Sequence, residues 1–347
     1  MQSGERLVAG QGAPIVEQCG QTGDANYRSY FLAEGAPVSL PFQGDVFPLG
    51  FFLRIRSNHC SVIEIAQDSW SCFKPKFRVQ PLELSVIVSA SGDTPSKIIF
   101  RAQKNLLAVI GDAQNSALCD LEAGTGFACL SEAVVSDQSY FRFNFLEAII
   151  YTLLDAQHVV AVHAACVAKD GNGFLLFGDS GAGKSSLAYT CARRGWTYIS
   201  DDCAFVLRGT ERVAIGNPRI FRFRPAASAL FPEIQGAVSL RNGKPTIEIK
   251  SATFPWMKTE TACTINQIVF LNRCSHESLP PAVHSVSQAE CWRRISQQNA
   301  WPAELCIEPE RRDALKDLLS ARALQLNYKH CAQAVDALEQ VARLDAA

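Results

Sequence analysis

The sequence predicts an α/β protein with a strand-rich N-terminal domain, residues 1–135, and a phosphate-binding domain, residues 136–347. Three observations carry that expectation. Short apolar or alternating runs fill the first third of the chain, the apolar period turns helical near Phe145, and the glycine-rich segment Gly178 to Ser185 joins an apolar run to a helix-like one.

At 347 residues the chain exceeds the usual size of one domain. Hydrophobic residues make up 48%, charged residues 19%, and the net charge is -1, the profile of an ordinary globular protein with no basic surplus for nucleic acid. The densest basic pairs, Arg293-Arg294 and Arg311-Arg312, have acidic neighbours and read as solvated helix surface. The 13 cysteines stand singly, without Cys-x-x-Cys pairs, which predicts reduced, mostly buried thiols and no zinc site. The N-terminus lacks the basic stretch and apolar run of a secretory signal, and the longest apolar region, Phe145 to Val162, is interrupted by Glu147, Asp155, Gln157 and His158. A cytoplasmic protein with no membrane partner is expected.

In the first domain, from Tyr30 to about Leu130, the runs Phe51 to Ile55, Ser61 to Ile65, Leu84 to Val88 and Lys97 to Phe100 read as strands between Gly, Asn, Asp, Ser and Pro. No catalytic constellation is visible there, and this half is the expected recognition module. Phe145, Leu146, Ile149, Ile150, Leu153 and Leu154 recur at helical intervals, with Ser139 as the expected cap. Val159 to Ala168, the turn Asp170 to Gly173 and Phe174 to Phe177 read as strand, tight turn, strand. Ser186 to Arg194 reads as a helix ended by Gly195, followed by strands at Trp196 to Ser200, Ala204 to Leu207, Val213 to Ile215 and Ile265 to Leu271. Two helices, Arg311 to Leu326 and Cys331 to Leu344, are expected to close the chain.

Gly178-Asp179-Ser180-Gly181-Ala182-Gly183-Lys184-Ser185 fits Gly-x4-Gly-Lys-Ser/Thr. Glycines let the backbone curl so that successive N–H groups and the following helix dipole form an anion site, which Ser186 at the helix start would extend. Lys184 would bring a full charge to the β- and γ-phosphates, and the Ser185 hydroxyl would ligate Mg²⁺. A nucleoside di- or triphosphate and Mg²⁺ are therefore the expected ligands.

Asp201-Asp202 closes the strand after that helix. In a parallel sheet the carboxyl ends of neighbouring strands lie side by side, so one carboxylate should reach the metal or the γ-phosphate. Adjacent strand residues point in opposite directions, which predicts a division of work: Asp201 as the base for an incoming hydroxyl, Asp202 on the metal side. The same residues also suit a turn cap. In Asn217 to Pro225, alternation puts Arg222 and Arg224 on one face, either as a clamp for phosphates or an acidic substrate or as a solvated basic edge strand.

His163 in Val-His-Ala-Ala-Cys, the loop Gly178 to Ser185 and the pair Asp201-Asp202 have the order and spacing of the C-terminal domain of HPr kinase/phosphorylase, and over about Tyr140 to Leu207 the chain resembles that family. The resemblance implies an HPr-kinase-like C-terminal domain, ATP as the nucleotide, Lys184 and Ser185 on phosphate and Mg²⁺, Asp201 as general base and His163 close to the transferred phosphoryl group. Without the family, a lone histidine on an apolar strand is more often a satisfied core residue, and His163 reads first as that. The family forms hexamers, so a homo-oligomer is implied too. The Glu-x-Arg-Gly-x-Gly signature that follows the aspartate pair in HPr kinases is missing here, and Asn217-Pro218-Arg219-Ile220-Phe221-Arg222-Phe223-Arg224-Pro225 stands instead, similar to the Pro-Arg-x-x-Arg stretch of the broader HPr-kinase-like group.

The expected function is an ATP-dependent kinase acting on a hydroxyl, a serine of a peptide or small protein or else a small alcohol. A nucleotide-binding switch or scaffold without a transferred product is the alternative, and the chain has no Asn-Lys-x-Asp guanine-reading motif.

Overall fold

Alternating burial builds the first sheet: the strand Leu82–Ser89 buries Leu82, Leu84, Val86 and Val88 and turns the residues between them outward. The computed structural model describes residues 38–209, 212–241, 244–274, 281–298 and 308–346. Expectations placed on residues 1–37, including the lack of a signal and the start of the strand-rich region at Tyr30, lie outside the described residues.

The elements of the first sheet are β1 (Phe42–Val46), β2 (Leu53–Ser57), α1 (Cys60–Ser69), β3 (Leu82–Ser89), β4 (Ile99–Gln103), β5 (Leu106–Ile110), β6 (Ser116–Asp120) and β7 (Thr125–Ser131). They run in the order β1-β2-β3-β7-β6-β5-β4. Ser61 to Ile65, expected as a strand, lies instead in α1: Val62, Ile63, Ile65 and Ala66 are buried at helical spacing, and the run was too short for its period to be read.

Next come α2 (Glu132–Ser136), α3 (Gln138–Phe141), a π-helical stretch over Arg142–Glu147 and α4 (Ala148–Gln157). The cap of α3 is Asp137, whose carboxylate accepts from the Tyr140 N–H, and not Ser139, which lies inside the helix. Helix α4 buries Ile149, Ile150, Leu153 and Leu154 in the same core cluster as the first sheet.

The second sheet holds β8 (Val159–Val162), β9 (Ala164–Lys169), β10 (Asn172–Phe177), then, after α5 (Lys184–Arg193), β11 (Thr197–Ser200), β12 (Ala204–Leu207) and β13 (Val213–Ile215). β14 (Ile220–Phe223), β15 (Val238–Arg241) and β16 (Lys244–Lys250) form a separate three-stranded sheet, and β17 (Lys258–Thr259), β18 (Ala262–Arg273), β19 (Ala282–Ser285) and β20 (Arg322–Tyr328) return to the second. Its path is β17-β11-β9-β10-β18-β13-β12-β8, and the later half of β18 also pairs with β20. The remaining helices are α6 (Gln288–Gln298), α7 (Glu308–Asp317) and α8 (Cys331–Ala346).

Two expectations are corrected here. The run Val159 to Ala168 is not one strand: it breaks at His163, β8 pairing with β12 while β9 pairs with β10 and β11. Arg311 to Leu326 is not one helix, because Ala323, Leu324, Leu326 and Tyr328 alternate into the core as β20, parallel to β18. Arg311 is 5% exposed and faces Asp155 at 3.5 Å, so it is no solvated surface cation, whereas Arg293 and Arg294 do pair with Glu290 along α6.

Alternation along β9, β10, β18 and β20 splits the second core in two. Val167, Phe174, Leu176 and Leu324 face α5 and α8, while Cys166, Leu175, Phe177 and Ala323 face α6 and α7. The result is a mixed α/β fold with several sheets. All eleven cysteines among the described residues are free thiols. No helix among the described residues is long and apolar enough to cross a membrane.

Candidate phosphate-binding site

Strands β10, β18 and β20 are parallel, and β11 shares their direction because antiparallel β9 lies between it and β10. The strand carrying Asp201 is thus not the immediate neighbour of the P-loop strand, as had been expected, but its carboxyl end still reaches the same sheet edge. Phe177, Ser200 and Tyr328 end their strands there, and β9 begins there, since Ala164 pairs with Phe177. One edge therefore collects His163, Gly178, Asp201, Asp202 and Tyr328, in the crevice beyond the strand ends where open α/β sheets bind ligands.

The loop from Gly178 to Gly183 turns tightly. The Ala182 N–H donates to the Asp179 carbonyl at 3.0 Å, and the Tyr328 hydroxyl, arriving from β20, donates to the Ala182 carbonyl at 2.6 Å. Gly183, the N-cap of α5, has φ +95°, and a Cβ there would stand 2.5 Å from the Tyr328 hydroxyl. Only glycine satisfies both demands. Helix α5 then opens with Lys184, followed by half-buried Ser185 and Ser186 on its first turn.

Lys184 is 7% exposed. Its ammonium donates to the Gly178 carbonyl at 2.6 Å, lies 3.5 Å from that of Asp179 and stands 3.1 Å from His163 Nε2. Burial holds its pKa below the usual lysine value against the opposing pull of Asp202, Asp179 and Asp201. Among the described residues no carboxylate lies within 4 Å of it. A buried cation in a loop of this shape, at a helix N-terminus, fits a phosphate chain.

His163 is half-exposed, with Nδ1 3.5 Å from Asp202 Oδ1. Partial burial and then the Lys184 charge lower its pKa, so the ring is neutral near pH 7. Its neighbours set the tautomer: Nε2 accepts from the ammonium and Nδ1–H faces Asp202.

The two aspartates do divide. Asp201 is 2% exposed, and its Oδ2 accepts from the Arg222 N–H at 2.7 Å. Burial, opposed by Arg222 and reinforced by Asp202, raises its pKa to about 7. Asp202 has a side chain 42% exposed and stands beside His163. The carboxylate expected to meet a hydroxyl is thus the buried one, and the one expected on the metal side is open.

The two arginines are engaged elsewhere. Arg222 Nε donates to Glu248 at 2.9 Å and its NH2 lies 3.5 Å from Glu147, while Arg142 pairs with both glutamates and Arg241 with Glu248. This network joins the π-helical stretch to the three-stranded sheet behind Asp201. Arg224 donates to the Pro245 carbonyl and the Thr246 hydroxyl. Tyr328, Glu147, Glu248 and Lys244, whose Nζ lies 3.4 Å from Ser180 Oγ, were not foreseen. The alternation in Arg322–Tyr328 was the available signal for Tyr328, and the strand-like run Lys244–Lys250 for Lys244 and Glu248.

For a metal, no cluster of three or more His, Cys, Asp or Glu occurs among the described residues. The Ser185 hydroxyl, on the first turn of α5, fits Mg²⁺ as one of the few protein ligands that ion commonly takes beside nucleotide phosphates.

A family model described as "SynChlorMet cassette protein ScmC" matches residues 128–232, under a third of the chain. A curated protein named "Putative HPr kinase/phosphorylase 2", from Oceanobacillus iheyensis, is 39% identical over 57 residues, 16% of this chain and 19% of that one. The match thus spans about a fifth of that relative's length. Among solved structures, the HPr(Ser) kinase/phosphatase from Coxiella burnetii matches over 53% of this chain and 97% of its own, at 14% identity and a TM-score of 0.30.

Proposed function

We propose that the chain is an ATP-dependent phosphotransferase whose acceptor is a hydroxyl, that of a serine in a peptide or small protein. The observation that carries this reading is a line of contacts at the mouth of a P-loop, from Lys184 to His163 at 3.1 Å and from His163 to Asp202 at 3.5 Å. The similarity to a protein named as an HPr kinase/phosphorylase supports it.

The loop N–H groups and Lys184 would bind the phosphate chain, and Ser185 would hold Mg²⁺, which when bound neutralises charge on the β- and γ-phosphates. Asp202, with its side chain open to solvent, takes the proton of the incoming hydroxyl. His163 stays neutral, receives a hydrogen bond from Lys184 and keeps the Asp202 carboxylate oriented. Asp201 acts as a positioning residue that ties the end of β11 to β14. This moves the base role from Asp201 to Asp202 relative to the reading from sequence, because Asp201 is only 2% exposed.

That same burial favours a second reading. With Asp201 sealed, the site would hold nucleotide without transferring it, as a switch or scaffold. The experiment is incubation with γ-labelled ATP and Mg²⁺ together with serine-containing peptides and, separately, small alcohols. Transfer abolished by Lys184→Ala and Asp202→Asn supports the kinase and names its acceptor; tight ATP binding without transfer to either class favours the switch.

A further inference from the structure

Resting on the P-loop reading above, we infer that Lys244 is a second phosphate-contacting cation of this site, supplied by the three-stranded sheet rather than by the loop or its own sheet.

The Lys244 ammonium lies 3.4 Å from the Ser180 hydroxyl, in the middle of the P-loop and 64 residues away in sequence. Its backbone is fixed from two sides. Arg224 donates to the Pro245 carbonyl at 3.1 Å and to Thr246 Oγ1 at 3.2 Å, and Thr246 Oγ1 donates to the Lys244 carbonyl at 3.1 Å. Farther along β16, Glu248 is held by Arg222, Arg142 and Arg241. A strand clamped in this way brings the Lys244 backbone to the loop already ordered, so that only the side chain remains to be fixed on binding.

Lys244 has no carboxylate within 4 Å among the described residues, while its charge acts on His163 across the site. Two cations, Lys184 beneath the loop and Lys244 over Ser180, thus stand on one loop, neither with a carboxylate within 4 Å among the described residues. A single phosphate would satisfy Lys184 alone. A di- or triphosphate chain spans both, and a lysine arriving from a separate element meets the part of it that leaves the loop.

The test is titration of the full chain with MgATP, using wild type, Lys244→Met, Lys244→Arg and the control Lys97→Met, an exposed residue just before β4. Lys244→Met should weaken MgATP by about 10-fold or more, the loss expected for a charge-assisted contact, and should make binding less sensitive to salt. Lys244→Arg should stay within about threefold of wild type, since the charge is kept, and Lys97→Met should change nothing. Wild-type affinity in a folded Lys244→Met variant, checked by its melting curve, overturns the inference and leaves the P-loop reading standing. A wild-type chain that binds no MgATP overturns both.

Discussion

The Tyr328 hydroxyl donates a hydrogen bond to the Ala182 carbonyl at 2.6 Å and so ties the end of β20 to the P-loop. Tyr328 is 2% exposed, and the room it occupies over Gly183 leaves space for no side chain there. Tyr328→Phe keeps the ring and removes only this bond. It should cost about 1 kcal/mol of stability and weaken ATP binding several-fold by loosening the loop; calorimetry and nucleotide titration check the two effects separately. Gly183→Ala should be far worse, since it adds both a clash and a forbidden φ.

Lys184→Ala should remove measurable MgATP binding while the fold survives. The substitution deletes a cation that is buried without a carboxylate partner, so the melting temperature of the nucleotide-free protein should stay level or rise. A variant that keeps wild-type affinity would refute the phosphate site.

The aspartates should respond differently. Asp202→Asn should leave nucleotide affinity in the presence of Mg²⁺ near wild type and abolish transfer; a lost Mg²⁺ dependence would instead make Asp202 a metal ligand. Asp201→Asn should show itself in stability. The Asp201 pKa is raised to about 7 by burial, so between the unfolded carboxylate range near 4 and pH 7 the folded chain holds a proton that the unfolded chain does not. Stability from this group is full at low pH and is lost as pH rises through that window. Melting temperatures from pH 4 to 8 should therefore fall less steeply in Asp201→Asn than in wild type.

His163 works in the opposite sense. Its pKa is lowered, so between that value and about 6.5 the unfolded chain binds the proton and this contribution to stability grows with pH. Protonation also sets an imidazolium against Lys184. ATP affinity should hold steady above neutrality and change once the imidazolium forms below it, and His163→Asn should lose that pH-dependent step while keeping a polar neighbour for Lys184.

Arg222→Leu should destabilise the protein by about 3–5 kcal/mol, because it leaves Glu147 and Glu248 short of a buried partner. Glu147 is 5% exposed, and burial already raises its pKa. Denaturant melts provide the measurement, and restoration by Glu147→Gln in the double variant would show that the stranded carboxylate is the cause.

Much of the site was legible in sequence because its chemistry is local. The loop, its helix and the turn between β9 and β10 depend on residues within a few positions of one another: Asp170 and Gly171 both have positive φ, at 50° and 84°, as a two-residue hairpin turn requires. Short apolar runs were less readable. Val62, Ile63 and Ile65 suit a strand as well as a turn of helix, and only packing against the first sheet decides for α1. Arg322–Tyr328 follows a helix without a proline or glycine to mark the change, and pairing with β18 makes it a strand.

The sequence by itself determined the mixed α/β class, the glycine-rich loop between strand and helix and which residue types stand beside it, since those follow from periodicity and from backbone chemistry confined to a few neighbouring residues. Tertiary structure alone decided that the chain breaks at His163, that Asp202 rather than Asp201 lies open, that Arg222 is spent on Glu147 and Glu248, and that Tyr328 and Lys244 reach the loop. Each of these depends on which strands become neighbours and on what burial does to a charge, and neither quantity is carried by any short stretch of sequence.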